Sequence, residues 1–115
     1  MKRLLASLAC SLVTAAAAAP AVKAPELVVE VNLSPKKVHE ECARLESGES
    51  RRWHWKSSAA VDFNIHYHRG DDVFYPVKRD AMRGDGGTFV ARTGEDYCWM
   101  WTAKDKQAKV ESEVK

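Results

Sequence analysis

Residues 50–68 read SRRWHWKSSAAVDFNIHYH, and both halves of this stretch alternate with a period of two. Trp53 and Trp55 are interleaved with Arg52, His54 and Lys56, while Val61, Phe63, Ile65 and Tyr67 are interleaved with Asp62, Asn64, His66 and His68. Side chains two apart on a strand share a face, so each half reads as a strand with one apolar and one polar side. The intervening Ser58-Ala59-Ala60 is short enough for a hairpin connection. Pairing Ser57 with Val61 then sets Trp55 opposite Phe63, Trp53 opposite Ile65 and Arg51 opposite Tyr67 on the apolar face. On the polar face Lys56 falls opposite Asp62, His54 opposite Asn64, Arg52 opposite His66 and Ser50 opposite His68. A slip of one residue would place the tryptophans among the histidines, which is why this register is expected. If the two halves instead belong to different layers, the faces stand and the cross-strand pairs do not.

The same period runs outward from this stretch. Val29, Val31 and Leu33 alternate with Glu30 and Asn32, and Tyr97, Trp99 and Trp101 alternate with Cys98, Met100 and Thr102. Breaks at Ser34-Pro35, Ser47-Gly48, Arg69-Gly70-Asp71, Gly84 to Gly87, Gly94 and Lys104-Asp105 separate the segments at all-β spacing. The expected fold is all-β, a small antiparallel β-sandwich of jelly-roll type. Its seven or eight strands fall near 27–33, 38–45, 50–57, 60–68, 72–79, 87–91, 95–102 and 108–114. Within 35–45, Val38, Cys42 and Leu45 also fit a helical spacing, so that strand carries an alternative.

Ahead of this domain, Lys2 and Arg3 precede an apolar run from Leu4 to Val13 and a small-residue run to Ala21, the pattern of a secretory signal peptide. Residues 1–21 are expected to be removed after Ala18 or Ala21, leaving one domain over 22–115 with no transmembrane anchor. Lipid attachment at Cys10 is the alternative, weakened by Ser7 at the position where a lipoprotein signal favours leucine. The whole chain has 18 basic and 16 acidic residues; from Val22 onward the balance is 16 to 16. The excess basic charge therefore belongs to the leader, and nucleic acid is excluded as an expected partner. The compartment is read as periplasmic or secreted, where Cys42 and Cys98 are an even pair expected to form a disulfide. Such a loop closure contributes about 4 kcal/mol in the chain-entropy description.

The chemistry-bearing residues are few. His66 and His68 share a strand face, with His54 diagonal to His66 in the hairpin register, so copper or zinc binding is an alternative function, with Met82 or Met100 as a soft ligand. Arg52 opposite His66 opposes it. The pairs Trp53/Trp55 and Trp99/Trp101 read as core filling, together with Phe63 and Tyr97, rather than as a ligand platform. Arg69-Gly70-Asp71 reads as a turn, and Gly84-Asp85-Gly86-Gly87 as a flexible connection, because it lacks the Lys-Ser/Thr of a phosphate loop and the acidic repeat of a calcium loop. No nucleophile, base or carboxylate pair is marked by spacing, so no catalytic residue and no enzyme activity are expected.

One resemblance spans about 26–115. Glu40-Glu41-Cys42, Gly48, Trp53 and Trp55, Val61-Asp62-Phe63-Asn64-Ile65, Gly87-Thr88-Phe89 and Gly94-Glu95-Asp96-Tyr97-Cys98-Trp99 follow the order seen in GOLD (Golgi dynamics) domains, which this chain resembles in a bacterial secreted form. The resemblance implies a β-sandwich, a disulfide between Cys42 and Cys98, and a non-enzymatic domain that binds a protein or a lipid or envelope component. The chain lacks the coiled coil, membrane helix and tail of the cargo receptors, so sorting is not implied. The expected partner surface is the polar face of His54, His66, His68 and Arg52, or the loops at 69–72 and 82–87, with no cofactor.

Overall fold

The structure is a computed structural model that describes residues 11–15 and 25–115. Cys10 and the expected cleavage positions lie outside the described residues. Six strands follow in order: β1 Leu27–Leu33, β2 Val38–Leu45, β3 Ser50–Arg69, β4 Asp72–Val90, β5 Glu95–Ala103 and β6 Ala108–Val114. All pair antiparallel in one sheet of order β1-β6-β3-β5-β2, with β4 on the remaining edge of β3. Within the 35–45 segment, Val38–Leu45 is strand β2, aligned residue for residue on β5.

Six strands replace the expected seven or eight because two expected breaks are not breaks. The 50–57 and 60–68 segments are one strand of 20 residues, and 72–79 and 87–91 lie within, or reach one residue past, a second long strand of 19 residues. Trp53 pairs with Gly87 on one edge and with Val114 on the other, so β3 is central at its start. Its second half keeps β4 on the first edge, but the other edge is handed to β5, from Val61↔Ala103 to His66↔Cys98. The hairpin pairs expected between the halves of β3 are therefore absent. Instead the strand bends back, and the apolar faces of its halves meet across the core.

The bend is built from mismatched lengths. Between Lys56↔Gly84 and Val61↔Met82, four β3 residues face a single β4 residue, and on the other edge Ser58 to Ala60 face the six residues 104–109. Extra residues on one strand of an antiparallel pair turn it sharply. A second bulge sets Asp80 and Ala81 against Asp62, with Ala81 at φ 51°, the left-handed region that L-residues rarely occupy. Asp62 secures this corner: its Oδ1 accepts from the Ala81 backbone N–H at 2.9 Å and from Lys104 Nζ at 3.1 Å.

Gly84, Gly86 and Gly87 are strand residues here, not a flexible connection. A Cβ at Gly86 would stand 3.1 Å from the Trp53 carbonyl oxygen, one at Gly84 3.1 Å from that of Trp55, and one at Gly87 3.2 Å from the Trp53 ring. The glycines permit close approach of β4 to the tryptophan-bearing half of β3. Inside the curl, Trp53, Trp55, Phe63, Tyr97, Trp99 and Trp101 are all buried, joined by Leu45, Ile65, Phe89 and Val110. Opposite the corner lies an open end, where the connections 46–49 and 91–94 join the two halves. They are tied by Gly48 N–H to the Ala91 carbonyl at 2.7 Å and Ala91 N–H to the Glu49 carbonyl at 2.8 Å.

Candidate functional site

Two regions draw together residues with chemistry. The first is the outer face of the second half of β3. His66 was expected to face solvent, yet it is only 3% exposed. The cause is a bulge: between Ile65↔Val77 and Tyr67↔Phe74, Tyr75 and Pro76 both stand against His66, and the Tyr75 ring lies 5.8 Å from the imidazole. His66 Nδ1–H donates to Asn64 Oδ1 at 2.7 Å, which leaves Nε2 facing the Glu40 carboxylate at 3.6 Å. Burial depresses the His66 pKa; Glu40 opposes the shift and His68 adds to it. The residue therefore sits neutral in the fold near pH 7.

Next to it, Cys42 and Cys98 form a disulfide between directly paired residues of β2 and β5. The bond staples neighbouring strands on the outer face and does not cross the core. Among the described residues, the group of three or more metal-type ligand atoms within 4.8 Å is Glu40, Cys42 and Cys98, and two of those sulfurs are consumed in the disulfide. His66 and His68 are neighbours, with ring centroids 5.1 Å apart. His54 is not with them: it is on the first half of β3, paired with Gly86 and Glu113, where Arg52 is also exposed. The three imidazoles expected to converge are thus split between the two halves of the bent strand. Met100 pairs with Asn64 beside His66, while Met82 is at the corner opposite Val61.

The second region is the open end at the β3–β4 hairpin. Arg69 pairs with Asp72 across a turn in which Gly70 takes φ 56°. Just beyond it Val73, Phe74 and Tyr75 are 38%, 40% and 48% exposed. A ladder of rings carries this surface into the core. Phe74 stacks on Tyr67 at 5.1 Å and 13°, Tyr67 meets Tyr97 edge-on at 5.3 Å, and Tyr97 meets Phe89 at 4.9 Å. Arg69 covers both outer rings, 5.5 Å from the Tyr67 centroid and 5.8 Å from that of Phe74, while its Nε donates to Glu95 at 2.7 Å. The Tyr97 hydroxyl donates to the Thr93 carbonyl at 2.7 Å, fixing the 91–94 connection. Between them opens a cleft of about 700 Å³ lined by Tyr67, Arg69, Pro76, Thr88, Arg92 and Thr93 among others.

The 69–72 loop was expected as a partner surface, but Phe74, Tyr75 and the cleft were not. Residues 72–79 alternate poorly, and a period-two reading has no way to tell an exposed edge strand from a covered one. The signal that was present is the run Val73-Phe74-Tyr75-Pro76, where proline marks a strand edge.

No family model matches the chain, and no curated protein matches it. Among solved structures, the chain is similar to the periplasmic lysozyme inhibitor of g-type lysozyme PliG from Aeromonas hydrophila, with a TM-score of 0.52 and 12% sequence identity, covering 79% of this chain and 85% of that one. At that identity the likeness is one of fold: an all-β antiparallel chain that curls around one core.

Proposed function

We propose that this protein is a non-enzymatic domain that works outside the cytoplasm and binds a protein partner through its open end. The observation that carries the reading is exposed Phe74, stacked on Tyr67 under Arg69, beside a cleft of about 700 Å³ that Tyr67 and Arg69 line. Exposed aromatics rimmed by polar groups mark interaction sites, and aromatic and arginine side chains supply most of the energy of such contacts. The ring ladder from Phe74 to Phe89 makes the surface rigid, so little entropy is lost on binding. The disulfide supports an oxidising compartment, and removal of residues 1–21 is part of the same reading. We read the doubled-over sheet as a small sandwich, and the resemblance to GOLD domains favours the same functional class.

The fold neighbour is a protein whose name describes inhibition of g-type lysozyme, so the first candidate partner is a secreted enzyme of that kind. The direct test is a cell-wall lysis assay with g-type lysozyme and increasing amounts of the protein. Stoichiometric loss of lysis is the expected result. Unchanged lysis at a large molar excess overturns the inhibitor reading.

A further inference from the structure

Charge is sorted along the sheet. The open end carries Glu46, Glu49, Asp71, Asp72, Glu95 and Asp96 against Arg44, Arg51, Arg69, Arg92 and Lys115, close to balance. The corner carries Lys36, Lys37, Lys104 and Lys106 in its two turns and Arg79 and Arg83 on the bulged middle of β4, against Asp62, Asp80, Asp85 and Asp105. From Val22 onward the charges cancel overall, yet the corner holds two more cations than carboxylates.

The corner cations divide into two sets. Lys36 pairs with Asp105 at 2.8 Å, Lys104 with Asp62 at 3.1 Å and Arg79 with Asp85 at 3.3 Å. Lys37, Lys106 and Arg83 are exposed and have no ion pair among the described residues. Their segments lie side by side: the Ala103 N–H donates to the Lys37 carbonyl, Val61 pairs with Ala103, and Val61 pairs with Met82. Three strand spacings separate the outer two, so the free cations spread over roughly 15 Å of surface. Between Arg83 and Lys106 is a shallow depression of about 240 Å³ floored by Ala59, Ala60 and Ala81.

We propose that this corner docks on the phosphate headgroups of a bilayer containing acidic phospholipid. Cations spread over such a width meet a field of charges, not one convergent anion. Lysine is suited to that task because it acts as a point charge on a flexible stem. The alanine floor offers no ring on which a nucleic-acid base stacks. The open end then points away from the bilayer and leaves the aromatic surface free. This inference is independent of the protein-binding reading.

Co-sedimentation of the protein with phosphatidylglycerol-containing vesicles and with pure phosphatidylcholine vesicles tests it. Binding to the first and not the second is expected, weakening as salt rises. Because each cation near an anionic surface contributes about fivefold to partitioning, Lys37→Glu/Lys106→Glu is expected to weaken binding by at least about 25-fold. Arg44→Glu/Lys115→Glu changes net charge equally at the other end and is expected to stay within about twofold of the wild type. Thermal midpoints of both variants confirm that the fold is kept. Equal binding to both vesicles, equal loss in both variants, displacement by inorganic phosphate at constant ionic strength, or tighter binding to a single-stranded oligonucleotide each overturns the proposal.

Discussion

Trp53 and Phe63 are ten residues apart in one continuous strand, and their ring centroids are 5.0 Å apart. In a straight strand the same separation would be roughly 33 Å. The whole architecture follows from that contact, because the strand that carries both rings must fold over them, and Trp55 and Trp101 complete the cluster around Phe63 at 5.4 and 5.6 Å.

Phe63→Ala is therefore expected to cost about 3–5 kcal/mol, the loss of a fully buried ring plus the cavity it leaves. Chemical denaturation of wild type and variant measures this. A cost below about 1 kcal/mol would show that the halves of β3 do not pack through Phe63.

The close approach of β4 separates two neighbouring glycines. A methyl at Gly86 meets the Trp53 backbone oxygen, which cannot swing away, whereas one at Gly87 meets the Trp53 indole, which can shift. Gly86→Ala is expected to destabilise by about 1–3 kcal/mol and Gly87→Ala by less. Equal, negligible effects would contradict the pairing of Gly84 to Gly87 with the tryptophan strand.

Stability should fall with acid in two steps. The folded His66 pKa lies below its unfolded value near 6.5, so the unfolded chain binds the extra proton first and stability declines as pH drops below about 6.5. Asp62 is pushed up by burial, but the Ala81 N–H and Lys104 outweigh this and hold its pKa below the usual value. Its contribution is present above the unfolded pKa and is lost as pH falls through the folded one. Thermal midpoints between pH 8 and 3 check both, with His66→Gln flattening the first step and Asp62→Asn the second. A wild-type profile flat from pH 7 to 5 would refute the assignment for His66.

The Cys42–Cys98 bond closes a loop with a sequence separation of 56 residues. Replacing both cysteines by serine is expected to cost about 4 kcal/mol, and intact-mass analysis without reductant should find the chain, produced in an oxidising compartment, two hydrogens lighter than the free dithiol. Free thiols in protein produced under oxidising conditions would contradict the structure.

Alternation made most of this fold legible in the sequence. The inward positions of Trp53, Trp55, Phe63 and Ile65 follow from period two alone, and that pattern survives a bend. What alternation does not encode is whether Ser58-Ala59-Ala60 reverses the chain or only bends it, since small residues permit both. The glycines at 84–87 misled for a related reason: a residue without a Cβ serves a loop by its freedom and a crowded strand by its small size. His66 was placed on the correct side of its strand, but its burial depends on a β4 bulge arising 9–10 residues further along. The surface of Phe74 and Tyr75 was hidden because exposure of an edge strand is decided by strand order, which no local pattern carries.

Calorimetric titration of g-type lysozyme into the wild type and into Phe74→Ala tests the proposed open-end binding surface most directly. The wild type should form a saturable one-to-one complex, and the variant, shown by its thermal transition to remain folded, should bind at least about 30-fold more weakly. A variant that binds as tightly as the wild type, or a wild type that forms no complex, would contradict it.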